Sequence, residues 1–446
     1  MWKPSRIKKT TLFLFGAMLL YVLSIALGAE IYLPYQIYAP GIFRNYSLNG
    51  VEYLILVPIA ILCAGILPKK IEFPSDWYVV IFSVFLLAPC LTLGVSSDSL
   101  SFSKKIIVLP ALVASIVIIG VARNIKTKRQ YPNDGGQVGK KLLYGVMFGW
   151  LILLLLLLVK YRGVMRFSGV DLMYEQRELT GDVGGVWGYI QLYFVYVFST
   201  LLIAYGLSLN KWRYFILGGA GYFAMYLITA EKSSLMFPLF FLAINYILRR
   251  NIKIVNAVTL MLVVFAFIIF GVIYLGEKYQ FFDLAGFYLF SRLVATPSQF
   301  ILDYYEYFSS SGYTFFSQIR GIDLIIDPPP LYASHPKWPQ LGWIVGGGLH
   351  NIESNSNATF IASDGAASLG ALGMILMAAI LCFYLIIINN SNQKFPKVFW
   401  STIFAQQAFV LVSGSLFSLL LSFGGLFYLL LFILYKPRTM ASKVAR

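Results

Sequence analysis

Histidine and cysteine are nearly absent from this chain: two histidines, His335 and His350, and three cysteines, Cys63, Cys90 and Cys382, in 446 residues. The cysteines all fall inside apolar stretches, so no disulfide framework holds the loops and no cysteine–histidine spacing marks a zinc site. There is no Asp-x-Asp pair, which speaks against a metal-bound nucleotide-sugar diphosphate. A phosphate-binding Walker loop, an H-E-x-x-H helix and a G-x-S-x-G elbow are missing too. Charge is scarce as well: Asp, Glu, Lys and Arg make up 12% of the chain against 59% apolar residues. That is too little polar surface to clothe a water-facing globule.

What is present is apolar residue in blocks. Nearly charge-free segments of roughly 18 to 22 residues recur along the whole length, the span needed to cross a hydrocarbon core. Twelve are placed near 11–28, 51–67, 77–95, 105–122, 142–159, 189–208, 213–230, 234–248, 254–275, 368–389, 398–415 and 417–435. The expected fold is therefore all-α: a single polytopic membrane domain over 1–446, with both termini cytoplasmic. With the N-terminus inside, inner loops hold 23 of the 35 basic residues and 3 of the 19 acids, a charge of +20; the outer side keeps 12 basic and 16 acidic residues, −4, which accounts for the net +16. The basic balance thus follows the positive-inside rule, and a nucleic-acid partner is not expected.

Two outer segments, 160–188 and 276–368, are longer than connectors need and are expected to be functional. The second is rich in Phe, Tyr and Trp, and its stretch Ser298–Phe308 has the polar and aromatic faces of a helix lying at a membrane surface. Arginine appears on this outer side, where it is otherwise disfavoured: Arg162, Arg166 and Arg177 in the first loop, Arg292 and Arg320 in the second. A guanidinium binds phosphate through paired hydrogen bonds, so converging arginines make a metal-free diphosphate clamp. The same residues read equally as snorkelling or ion-paired rim groups, Arg177 beside Glu175 and Glu178 among them. Arg162 and Arg166 would share one face if the helix before them continued outward. Glu231-Lys232-Ser233-Ser234 breaks two apolar stretches, as either a tight hairpin or a helix end in a polar cavity. The spans have essentially no mid-membrane acid and the halves show no repeat, which weighs against coupled transport. Gln406-Gln407 is the one polar pair in mid-span and reads as interhelical glue.

The run Asn355-Ser356-Asn357-Ala358-Thr359-Phe360-Ile361-Ala362-Ser363-Asp364-Gly365, followed by Leu369-Gly370-Ala371-Leu372-Gly373, resembles the signature near the end of the Wzy-type O-antigen and capsule repeat-unit polymerases. The Thr229–Ser234 break is similar to their short turn before a long apolar helix, while Ala366 and Ser368 stand where an aromatic is common. The resemblance implies a GT-C-like membrane glycosyltransferase of the bacterial inner membrane. Such an enzyme polymerises undecaprenyl-diphosphate-linked repeat units into lipopolysaccharide O-antigen or capsule, by inverting transfer without metal or cofactor, alongside a chain-length regulator protein. A flippase or other transporter and an O-antigen ligase are the alternatives. On this reading the proton acceptor is sought among His350, Asp303, Glu306, Glu353 and Asp364, with His350 favoured because imidazole titrates near working pH. Diphosphate binding falls to Arg177, Arg292, Arg162, Arg166, Arg320 and Lys232, and acceptor sugar to Glu175, Asn355, Asn357 and Tyr304.

Overall fold

The computed structural model describes residues 9–35, 41–43, 45–98, 100–125, 139–169, 173–180, 185–351 and 355–435. Among them the secondary structure is helical, with one isolated antiparallel bridge between Tyr46 and Ser97. Among the described residues, seven helices are long and apolar enough to cross a membrane: Lys9–Ile31, Pro74–Ser96, Phe102–Val121, Lys140–Tyr161, Gly185–Ser208, Ile254–Leu275 and Ile361–Lys394. The segments expected at 51–67 and 417–435 form shorter apolar helices, Glu52–Ile66 and Gly425–Leu434. Those expected at 213–230 and 234–248 form Trp212–Thr229 and Lys232–Arg249, 18 residues each, with Arg213, Lys232 and Arg249 inside them.

The chain clusters into two compact units. The first comprises Met1–Asn124, Lys253–Leu385 and Ala408–Phe417, and the second Ile125–Ile252, Ile386–Gln407 and Ser418–Arg446. In the first unit, helix Pro74–Ser96 is the centre, with 94% of its apolar window buried. Tyr21 of the first helix donates its hydroxyl to the Val84 carbonyl at 3.1 Å, because buried phenols need an acceptor. In the second unit, the mid-span glutamine does act as glue: Gln406 Oε1 accepts from Thr200 Oγ1 at 2.9 Å, and its Nε2 donates to Tyr222 Oη at 2.5 Å, all fully or nearly buried.

Two expectations change. The stretch Ser298–Phe308 lies within helix Thr296–Ser311, whose residues 296–305 and Phe308 are buried, so it is a core helix rather than one lying flat at a surface. Its polar face meets buried polar partners in place of water. The final long span also starts earlier than expected and is broken. Leu369 (φ −146°, ψ 24°) and Gly370 (φ 59°, ψ −137°) interrupt Ile361–Asn389, and the backbone doubles back so that a Cβ on Gly373 would sit 2.1 Å from the Gly365 carbonyl oxygen. At Gly370 the left-handed backbone suits glycine, and Tyr313 packs where a side chain would stand. Gly373→Ala is therefore expected to destabilise the protein by about 1–3 kcal/mol, since the clashing atom is backbone. Gly16→Ala, with nothing within 4 Å, serves as the neutral control. Thermal unfolding in detergent checks this; equal midpoints for the two variants would mean the bend is not closely packed.

Candidate functional site

The polar core of the first unit is built on helix Thr296–Ser311. Gln299 and Asp303, four residues apart, share one face, and Gln299 Nε2 donates to Asp303 Oδ1 at 2.6 Å. Tyr46 donates its hydroxyl to Gln299 Oε1. Asp303 Oδ2 meets His350 Nε2 at 3.0 Å, with the side chains 0% and 5% exposed. His350 ends helix Leu341–His350, which is closed by Asn351 in the left-handed conformation (φ 53°). That helix approaches Thr296–Ser311 closely because Gly348 leaves room for the Tyr307 ring, which would lie 2.4 Å from a Cβ there. His350 Nδ1 lies 3.1 Å from the carbonyl oxygen of the exposed Gly41. A carbonyl only accepts, so Nδ1 carries a proton.

Tyr304, the next residue, donates its hydroxyl to the Ser356 carbonyl at 3.0 Å. Burial, with Asp364 and Asp303 nearby, pushes this phenol well above its ordinary range, so it stays a neutral donor. Ser356 N donates to the Gly342 carbonyl at 3.0 Å, and the Asn355 side chain packs over Gly342. Asn357 is exposed. Asp364 was expected on a loop; it sits in the helical turn Ile361–Ala366 before the break, 3% exposed. Its Oδ2 accepts from Ser415 Oγ at 2.9 Å and from Leu416 N at 2.7 Å. Hydrogen bonds to a carboxylate at this depth compensate its lost hydration. Asp303 and His350 are therefore brought together, Tyr304 lies near both Asp303 and Asp364, and Glu306 is half-buried on the following turn.

The arginines behave differently. In the second unit the helix Lys140–Tyr161 stops at Tyr161, with Val164 N and Met165 N turning back to the Tyr161 carbonyl, so Arg162 and Arg166 do not share a helical face. Arg162 is exposed. Arg166 Nε donates to Gln176 Oε1 at 2.7 Å, and its Nη2 pairs with Glu175 at 2.9 Å. Gln176 Nε2 in turn reaches the carbonyls of Val164, Leu227 and Ile228 at 2.6, 3.2 and 3.1 Å, tying this loop to the C-terminal end of Trp212–Thr229. Glu175 is thus an ion-pair partner of Arg166. The Arg177 side chain and Glu353 lie outside the described residues. The Glu231–Ser234 break is a tight turn: Ala230 is left-handed (φ 52°), Glu231 precedes the next helix, and Lys232, half-buried, begins it. In the first unit Arg292 and Arg320 are exposed, and the Arg292 guanidinium lies 5.1 Å from the centre of the Phe287 ring.

Sequence reasoning missed Gln299, Tyr46, Gln176, Ser415 and the Gly41 carbonyl. The i, i+4 spacing of Gln299 from the candidate Asp303 was the one signal that could have found any of them. Comparison with family models, with curated proteins and with solved structures yields no match.

Proposed function

We propose that the chain is a membrane glycosyltransferase that polymerises polyprenyl-diphosphate-linked oligosaccharide repeat units at the outer face of a bacterial inner membrane, crossing it about twelve times with both termini inside. The observation that carries this reading is the buried Asp303–His350 pair whose second ring nitrogen faces an exposed backbone turn. With Asp303 on Nε2, the working base atom is Nδ1, and the Gly41 carbonyl occupies the position an acceptor hydroxyl would take. Once the Gly41 carbonyl gives way and the Nδ1 proton passes to solvent, leaving Nε2–H on Asp303, the hydroxyl gives its proton to Nδ1 as its oxygen bonds the anomeric carbon of the donor. The bond from that carbon to the diphosphate oxygen breaks with inversion, and undecaprenyl diphosphate leaves. Asp303 stabilises the imidazolium, and Gln299 and Tyr46 hold Asp303. In the unit of the pair, Arg292 and Arg320 are the cations proposed for the departing diphosphate; in the second unit Arg177, Arg162 and Lys232 are the cations proposed for diphosphate binding, and Arg166 is already paired to Glu175. Asn355 and Asn357, exposed on the segment beside the pair, serve the acceptor sugar; Tyr304, expected there too, is 1% exposed and its hydroxyl holds the Ser356 carbonyl of that segment instead. No cofactor is needed, because the diphosphate leaving group supplies the driving force.

Purified protein mixed with lipid-linked repeat units, without nucleotide or added metal, is expected to yield a ladder of longer products. Absence of any ladder, with the same units elongated by a known polymerase, removes this reading. A lipid-linked oligosaccharide flippase is the second reading, favoured by the burial of Asp303 and Asp364, since ionisable groups in the bundle are what a coupled transporter needs. Passage of fluorescent lipid-linked units across proteoliposomes without elongation would select it. Transfer of finished polymer to a lipid A core would select a ligase.

A further inference from the structure

A cleft of about 330 Å³ lies in the first unit, lined by Thr10 and Phe13 of helix Lys9–Ile31 and by Asn256, Thr259, Leu260 and Val263 of helix Ile254–Leu275. Since the first residues of one helix meet the first residues of the other, the two run parallel with their N-terminal ends together. The polar-to-apolar change therefore happens on both at one level. Lys9, Thr10, Lys253 and Asn256, all exposed, stand at the polar end. Phe13 and Leu260, 70% and 66% exposed, and Val263 stand about one to two turns deeper. The Thr259 hydroxyl already donates to the Val255 carbonyl at 2.7 Å, which leaves the Thr10 hydroxyl and the Asn256 amide as donors at the rim.

We infer that this cleft is a binding site for one anionic phospholipid. Its phosphate is held by the Thr10 hydroxyl and Asn256 amide between Lys9 and Lys253, and an acyl chain runs over Phe13, Leu260 and Val263. The lining has the make-up of a ligand pocket: apolar walls, a few polar groups, and a volume in the range of small-molecule sites. Both walls are membrane-crossing candidates, so the molecule that reaches an apolar cleft opening beside their first turns is a lipid. Two lysines at its polar end select a negative headgroup. The two helices lie at the basic, inner end by the charge distribution, so the site is separate from the glycan chemistry and does not depend on it.

The test is native mass spectrometry of the full-length protein released from nanodiscs of mixed phosphatidylglycerol and phosphatidylcholine. Wild type is expected to retain one phosphatidylglycerol in preference to phosphatidylcholine. Val263→Trp, which fills the cleft, should lower that retention about tenfold. Lys9→Gln with Lys253→Gln should remove the preference while leaving phosphatidylcholine retention unchanged. Thermal unfolding confirms that each variant is folded, and Thr10→Val with Asn256→Leu replaces Val263→Trp if the latter is not. Excess inorganic phosphate should leave the lipid in place. Retention unchanged in the cleft-filling and rim variants, equal retention of both lipids by wild type, or displacement by inorganic phosphate would each overturn the assignment, the last by making it a plain anion site.

Discussion

Asp303→Ala is expected to abolish polymer formation, a loss of at least a hundredfold, and to lower thermal stability at the same time. Alanine leaves His350, Gln299 and Tyr46 facing an empty, buried polar site. Breaking a buried charged pair by removing one partner typically costs about 3–5 kcal/mol. Asp303→Asn separates chemistry from architecture. The asparagine Oδ1 can still accept from Gln299, while its amide donates to Nε2 of a neutral imidazole whose Nδ1–H stays on the Gly41 carbonyl. The fold is therefore expected to survive in Asp303→Asn with a near wild-type melting midpoint. Its activity should still fall about a hundredfold, the lower end of what a general base contributes, because nothing now stabilises the imidazolium. His350→Ala should fall at least as far. Polymer ladders and thermal midpoints at matched expression decide it. Wild-type ladders from Asp303→Asn and His350→Ala together would show that the pair only fastens two helices, and the base would have to be Glu306 or Asp364.

Arg292→Lys and Arg177→Lys are each expected to lose activity at least a hundredfold, about 3 kcal/mol of transition-state stabilisation, although both conserve charge. A diphosphate oxygen pair is matched by the guanidinium fork and poorly by a point charge. For Arg292 the contrast with a structural role is sharp. It is exposed over the face of Phe287, and lysine keeps most of such a cation–π contact, worth about 0.5–1 kcal/mol at exposed sites. A purely structural Arg292 would therefore tolerate lysine, and alanine would be mild. Arg166→Lys is the internal comparison: its loss should act through the loop anchored by Gln176, lowering stability along with activity. Wild-type ladders from lysine and alanine variants at both Arg177 and Arg292 would refute the clamp.

Hydropathy alone was sufficient for the helical class, because a segment that must bury every backbone group in lipid has to be apolar and helical over its whole length. The resemblance to the repeat-unit polymerases put Asp303, His350 and Asp364 among the proton-acceptor candidates and Tyr304 among those for the acceptor sugar. What it could not supply was their arrangement. Tyr46 and Gln299 are 253 residues apart, and Asp364 and Ser415 51 apart, separations over which no local pattern carries information. The helix Thr296–Ser311 was assigned to a surface because its polar face, Gln299 and Asp303, reads the same whether water or a buried tyrosine and histidine await it. The break at Leu369–Gly370 was hidden for a different reason: Ser363, Asp364 and Ser368 before it read as the end of a loop, so the helical arm Ile361–Ser368 was not seen as part of the span. Arginine on the outer loops was visible, but that Arg166 is already paired with Glu175 depends on where the preceding helix stops, and this is decided by a turn at Tyr161–Met165.

The broken helix also bears on how the chain is made. The helical segment Ile361–Lys394 is 34 residues long, more than the roughly 20 a single crossing requires. Asp364 leaves the ribosome 51 residues ahead of Ser415, whose hydroxyl receives it in the finished protein. Until the segment Ala408–Phe417 arrives, the carboxylate has neither that hydroxyl nor the Leu416 amide, and only Ser363 beside it, at 3.3 Å, can donate to it. The partners of Asp364 are therefore complete only when the C-terminal region has been made.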